Sequence, residues 1–409
     1  MITLATKGRQ GRLDSQPQQS LVPWRLRNLQ PLARACLTFG TTATKSLDTE
    51  DSSALDALPV VLAGRFSALA LPLLLPALHP SANAARIALL ARARLDALRT
   101  MAVIATAAPA LRCLSSAAIP FVVIKGPAVA RFHPQPTSRP FGDLDVLVPR
   151  SRFQDAAAIL HGLGFRQPLR TRPPWNWFDP ICREGENFHR PDGANIDLHH
   201  CIAPWVFAKE ITFQGLLARS EHGHVAGAAV RFPSIADCLV VSALHLINDL
   251  GKADASLMSW RDVIILSELL GTQATRKAFA NAGLAWFAPY ILTTTAYLKT
   301  QTLPPDSPPA ERHPLRAASQ RARLRLLGWD RDTLIARHPI VGVVRLPAPR
   351  ALAFLAGSVV PSPCYVRTKH GGYVSYWRKA ERSVFAVTRG ADFRVEDITT
   401  ITGATPNHK

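Results

Sequence analysis

Between residues 89 and 114 apolar positions recur at helical spacing, with Arg92, Arg94, Arg99 and Arg112 among them, which predicts one or two amphipathic helices. The rhythm then shortens. The run Phe121-Val122-Val123-Ile124 reads as a strand, and Lys125-Gly126-Pro127 as a glycine turn after it. A second run, Arg139-Pro140-Phe141-Gly142-Asp143-Leu144-Asp145-Val146-Leu147-Val148, alternates, so Leu144 and Val146 share one face while Asp143 and Asp145 share the other. Ser151 to Gln154 has the S-x-x-Q form of a capping box ahead of a helix carrying Ala156, Ala157, Ala158, Ile159 and Leu160, which Gly162 or Gly164 ends. Glu186 to Arg190, the turn Pro191-Asp192-Gly193 and the segment Ala194 to His199 read as a hairpin with a three-residue loop. With Arg190 opposite Ala194, Phe188 faces Ile196 on the buried side and Asn187 lies opposite Asp197 on the polar side.

Beyond residue 233 the pattern is helical. Ser234-Ile235-Ala236-Asp237 caps an apolar segment running to Leu250, and a second spans Trp260 to Leu270. His245 reads as a core histidine, and Asp262 as a first-turn acid favoured by the helix dipole. Leu303 to Pro309 has the composition of a linker. Basic residues follow at Arg312, Arg316, Arg321, Arg323, Arg325 and Arg331, then a tail that interleaves Tyr373, Tyr376 and Trp377 with Arg378 and Lys379. The apolar run Phe66 to Leu78, broken by Pro72 and Pro76, is shorter than the ~20 residues a membrane helix needs, so it predicts a buried helix and no transmembrane segment. The fold class expected is α+β: a small mixed sheet flanked by helices, with a mainly helical C-terminal part. Its expected divisions are a disordered leader at 1–54, a helical segment at 55–118, the sheet core at 119–232 and a helical domain at 233–302. A Pro-rich linker at 303–315, a basic helical region at 316–390 and a tail at 391–409 complete the chain.

Composition widens the picture only in part. With 409 residues, 47% hydrophobic, the chain can bury two or three packed units. A formal charge of +19 attracts polyanions, which include nucleotides, nucleic acid and anionic membranes. The excess is spread widely and carries no recognised nucleic-acid reading motif. Residues 1–47 hold one acid, Asp14, against Lys7, Arg9, Arg12, Arg25, Arg27, Arg34 and Lys45; they imitate a transit peptide but read better as a leader or a start site placed early. Cys36, Cys113, Cys182, Cys201, Cys238 and Cys364 lack any C-x-x-C spacing, which argues for reduced thiols and a cytoplasmic setting.

The chemistry concentrates at the alternating carboxylates. Two such charges repel by about 4 kcal/mol at 4 Å and an effective dielectric near 20, so they call for a cation. Oxygen ligands suit a hard ion, Mg²⁺ or Mn²⁺, of the kind that also holds substrate phosphates. Asp197, on the hairpin, is the third acid. Lys125 offers a point charge and Arg139 a planar fork for phosphate oxygens; the rival readings are an exposed strand end for Lys125 and an ion pair with Asp143 or Asp145 for Arg139. His199, beside Asp197, supports the site from behind the ligands, as does Asn187; a His–Asp zinc set with His189 and His200 is the weaker alternative. Arg166, Arg170, Arg172, Trp175, Trp177 and Arg183 form a basic, aromatic loop that either stacks a base or packs its tryptophans inward.

The glycine turn after a strand, the D-x-D and the later Asp resemble the polymerase-beta-type nucleotidyltransferase superfamily. More narrowly, Lys125-Gly126, Arg139 to Val148 and Ile196-Asp197-Leu198-His199 resemble a bacterial nucleotidyltransferase-like family with L-K-G, R-x-x-D-I-D-L-L-V and I-D-L-H signatures. Leu244-His245, Trp260-Arg261-Asp262 and Pro361-Ser362-Pro363 fit it too, extending the likeness over roughly residues 55–385. The resemblance implies that 119–232 is a nucleotidyltransferase core. It implies that Asp143, Asp145 and Asp197 hold the metals, with Asp197 completing the second site or acting as base. Gly126, with Lys125 and Arg139, would meet the triphosphate. The superfamily's serine after the glycine is replaced by Pro127, and the interval to Asp143 is long.

The reaction implied is transfer of a nucleoside monophosphate from an NTP to a hydroxyl of a small molecule, peptide or protein, with release of pyrophosphate. Its alternatives are a nucleic-acid-binding protein and a catalytically silent nucleotide-binding scaffold.

Overall fold

A computed structural model describes residues 83–167, 184–193, 195–202, 211–249, 257–300 and 371–378, with isolated positions at 36, 68 and between 352 and 367. The leader, the Phe66 to Leu78 run, most of the basic aromatic loop, the linker and the basic helix after it lie outside the described residues.

The long N-terminal helix, α1 (Asn83–Ser116), is one continuous element that carries Pro109 inside it. Its length and composition would suffice to cross a membrane. Its Val103, Ala107, Ala110, Leu111 and Leu114 are buried in the same apolar core as the sheet, as expected of the core helix of a packed domain. Then come β1 (Val122–Val123), a single turn of helix α2 (Pro127–Ala130), β2 (Leu144–Leu147) and α3 (Phe153–Gly162). The hairpin follows as β3 (Gly185–His189) and β4 (Asn195–His199).

The strands form a mixed sheet in the order β1-β2-β4-β3. β1 runs antiparallel to β2, β2 parallel to β4, and β4 antiparallel to β3. The hairpin register is the one the alternation predicts: Phe188 opposite Ile196 and Asn187 opposite Asp197. Gly185 is required by close approach, because a Cβ there would lie 2.3 Å from the Leu198 carbonyl oxygen. Leu144, Val146, Ile196, Leu198 and Phe188 fill the buried face.

The helix after β2 starts differently from the expectation. Ser151 lies in a 3-10 turn, Arg150–Arg152, and α3 begins at an uncapped Arg152 whose side chain instead pairs with Asp155 at 2.8 Å. Its end is the one expected: Phe165 N donates to Leu160 O and Gly164 N to His161 O, each at 3.0 Å, which closes the helix with Phe165 buried.

A short helix α4 (Phe213–Ala218), capped by Thr212 Oγ1, leads to a separate hairpin, β5 (Glu221–Val225) and β6 (Ala228–Phe232). Three helices follow: α5 (Ile235–Asp249), α6 (Leu257–Asn281) and α7 (Ala288–Thr300). Ser234 caps α5 as predicted, its Oγ accepting from Asp237 N at 3.2 Å. α6 bends at Gly271, and Asp262 is its sixth residue, beyond the first turn and buried. The fold is therefore α+β, and one continuous apolar core joins α1, the sheet and the three C-terminal helices.

Candidate functional site

Parallel pairing of β2 with β4 sets Asp145 beside Asp197, on the face opposite the Leu and Val pairs. Asp143 precedes β2 by one residue, half-buried. Lys125 reaches the same place from the end of β1, where Ile124 N donates to Asp145 O at 3.1 Å. Its ammonium then stands 2.9 Å from Asp145 Oδ1. His199, two residues beyond Asp197, brings Nε2 to 3.1 Å from Asp145 Oδ1 and 3.2 Å from Asp197 Oδ2. The imidazole bridges the two carboxylates.

Burial and neighbouring charges decide the protonation of this group. Burial would raise the Asp145 pKa, but Lys125 and His199 hold it well below the usual carboxylate range. Burial would depress His199, yet the Asp197 charge and the hydrogen bonds to Asp145 and Asp197 carry it up to about 10, which favours its protonated form while no metal is bound. Lys125 is likewise lowered by burial and raised more by Asp145. Asp143 moves the other way: burial and then the Asp145 charge push it up to about 6.

A further acid belongs to this group. Glu184, immediately before β3, is raised by burial against the lowering charges of His199 and Lys125. Its Oε2 is buried with no hydrogen-bond partner among the described residues, as is His199 Nδ1. Asp143, Asp145, Glu184 and Asp197 thus share two cations, Lys125 and His199. The predicted hairpin run began at Glu186 and left Glu184 out; an acid just ahead of a strand that flanks Asp197 was the only signal available.

Three of these side chains, Asp145, Asp197 and His199, offer ligand atoms within 4.8 Å of one another, a geometry open to a metal ion. Asp143 stands outside that closest set, and His199, expected behind the ligands, stands within it. Asn187 is opposite Asp197 in the ladder, as the register predicts.

Gly126 adopts φ 54° and ψ −113°, in the positive-φ region that side chains avoid, and a Cβ there would meet the Phe141 ring at 3.3 Å. Lys125 is no exposed strand end. Arg139 departs from its expectation. Its Nε and Nη2 lie 2.8 and 2.6 Å from Asp262 Oδ1 and Oδ2, a bidentate pair 123 residues apart in sequence, rather than reaching Asp143, Asp145 or a free position for phosphate. His133 Nε2 lies 2.9 Å from the same Asp262 Oδ1. Burial would raise Asp262, but Arg139 and His133 bring it down to about 2. This acid is a buried counter-charge, not a helix-dipole residue.

Strand pairing thus gathers the acids and their two cations on one face of the mixed sheet. The sequence of residues 71–298 matches the family described as "Uncharacterised nucleotidyltransferase", and the chain belongs to that family. The match ends before Pro361-Ser362-Pro363, so this late segment of the sequence likeness lies beyond it. No curated protein matches the chain.

Proposed function

We propose that the protein transfers a nucleoside monophosphate from an NTP to a hydroxyl acceptor, releasing pyrophosphate, with a divalent cation held at Asp143, Asp145 and Asp197. The observation that carries this reading is the in-register pairing of Asp145 with Asp197 across parallel strands, in a cluster where acids outnumber bases. The residues fit a cation. Their donors are mainly carboxylate oxygens; burial first and the Asp145 charge second push Asp143 up to about 6, and a bound cation would relieve the second of these. Mg²⁺ or Mn²⁺ held there would neutralise charge on the triphosphate oxygens during displacement.

The chain's own groups divide the remaining work. Lys125 neutralises Asp145 before substrate arrives and supplies positive charge next to the phosphates afterwards. Gly126 lets the backbone come close to the triphosphate. Asp197, with the more open of the two paired carboxylates, takes up the proton that the acceptor hydroxyl loses or completes the second cation site. His199 holds Asp145 and Asp197 in register through Nε2. Catalysis on this reading is positioning plus electrostatic stabilisation. The acceptor is a small molecule, peptide or protein, and the setting is cytoplasmic, the reading that cysteines without C-x-x-C spacing favour.

The test is incubation of the full chain with Mg²⁺ or Mn²⁺ and each alpha-labelled NTP, following pyrophosphate release and label transfer. Metal-dependent release supports the reading and identifies the donor base. No release and no metal-dependent NTP binding overturns it.

A further inference from the structure

The Lys125–Gly126 turn owes its shape to more than local contacts. Ala130 N donates to Gly126 O at 2.9 Å and Ala128 N to Lys125 O at 3.0 Å, which closes the single turn of α2. The positive φ at Gly126 is held from the far side of the loop by Arg139, whose Nη1 makes a longer contact of 3.4 Å with Gly126 O. Phe141 packs its ring where a Gly126 side chain would stand, and its backbone N donates to Thr100 Oγ1 of α1 at 3.2 Å. Arg139 is itself fixed by Asp262 of α6 through both carboxylate oxygens. His133, from the same loop, completes the set on Asp262 Oδ1. Arg139 is 9% exposed, Asp262 3% and His133 3%. A chain of polar contacts therefore runs from a C-terminal helix to the backbone of the glycine turn, and Lys125 is the residue just before that glycine.

A buried ion pair of this kind is weak as a stabiliser, since apolar residues of similar volume often do as well. What it supplies is a fixed direction: the planar guanidinium, locked on one side by Asp262, presents its remaining edge to Gly126 O. We propose that Asp262 is a positioning residue for the candidate site: acting through Arg139, it fixes the Lys125–Gly126 turn and with it the reach of Lys125 to Asp145. The consequence for triphosphate binding rests on the nucleotidyltransferase reading; the fixing of the turn does not.

Two conservative variants of the full chain, Arg139→Lys and Asp262→Asn, separate these statements. Hydrogen exchange of the ligand-free protein is compared at residues 125–130 and at the β5–β6 hairpin, 221–232. The expected result is exchange about tenfold faster at 125–130 with the hairpin unchanged, as for a local opening. In parallel, Mg²⁺-dependent binding of an unreactive NTP analogue should weaken about tenfold while nucleoside monophosphate binding is retained. Unchanged exchange at 125–130 overturns the proposal. So does acceleration across the whole chain, or failure of both variants to fold, because the pair would then be a general support. If wild-type protein binds no triphosphate at all, the nucleotidyltransferase reading fails, and the exchange comparison still decides whether Asp262 positions the turn.

Discussion

Two charged clusters flank the glycine turn, and their charge balance differs. At Asp262 one carboxylate meets Arg139 and His133, all buried, and the opposite charges are matched at hydrogen-bond distance. At Asp145 four acids share Lys125 and His199, and burial together with the Asp145 charge pushes Asp143 up to about 6. Burial of charge is common to both, so burial alone marks neither as a binding site. Uncompensated negative charge distinguishes the second cluster and gives it a reason to take up a cation.

The largest effect should come from Asp145→Asn. It removes the carboxylate shared by Lys125 and His199 and should lower any metal-dependent NTP turnover by about 10³-fold, the scale of losing a principal electrostatic group. The readout is steady-state pyrophosphate release, with circular dichroism to establish that the variant is folded. Asp262→Ala should lower turnover far less, by about tenfold through the loosened Lys125–Gly126 turn, and should also act on stability. It leaves Arg139 buried without its partner, and denaturant unfolding should report a loss of about 3 kcal/mol. If the two variants have the same effect on turnover and on stability, the distinction between the clusters collapses.

Smaller changes sharpen the contrast. Lys125→Met removes the ammonium that competes for Asp145, so Mn²⁺ binding to the nucleotide-free protein should tighten, by about tenfold in a direct titration. The smallest effect concerns Asp143, whose folded value near 6 lies above its ordinary 3.8. A raised carboxyl binds more protons folded than unfolded, so its contribution is fully present below 3.8 and is lost as pH rises through about 6. With solvent screening of this partly buried group, the effect amounts to about 1 kcal/mol. It should appear as a difference between wild type and Asp143→Asn in melting curves from pH 4 to 7, and saturating Mn²⁺ should abolish it.

Legibility in the sequence followed the strength of local pattern. The alternation in Glu186 to Arg190 and Ala194 to His199, on either side of the Pro191-Asp192-Gly193 turn, was enough to predict the Asn187–Asp197 pairing, because a slip of one residue would have put Phe188 and Ile196 on the wet face. The neighbouring of Asp145 and Asp197 needed the parallel order β1-β2-β4-β3, a long-range fact that only the family likeness suggested. The β5–β6 hairpin was not read at all. Its turn is Ala226-Gly227 with both residues at positive φ, and alanine is no signal for that conformation. Arg139 illustrates the hardest case. A motif arginine beside two aspartates invites a local partner, whereas its partner, Asp262, arrives from a helix 123 residues later and only tertiary packing brings it there. Ser151 had the letters of a cap, but the 3-10 turn at Arg150–Arg152 uses up that position before α3 begins.

The measurement closest to the central claim is a titration of Mn²⁺ followed by its electron paramagnetic resonance, with and without an unreactive NTP analogue, on wild type and Asp145→Asn. Wild type should bind Mn²⁺, the analogue should strengthen that binding, and the variant should lose both while remaining folded. Binding that is absent in wild type, or equal in the two proteins, would contradict it.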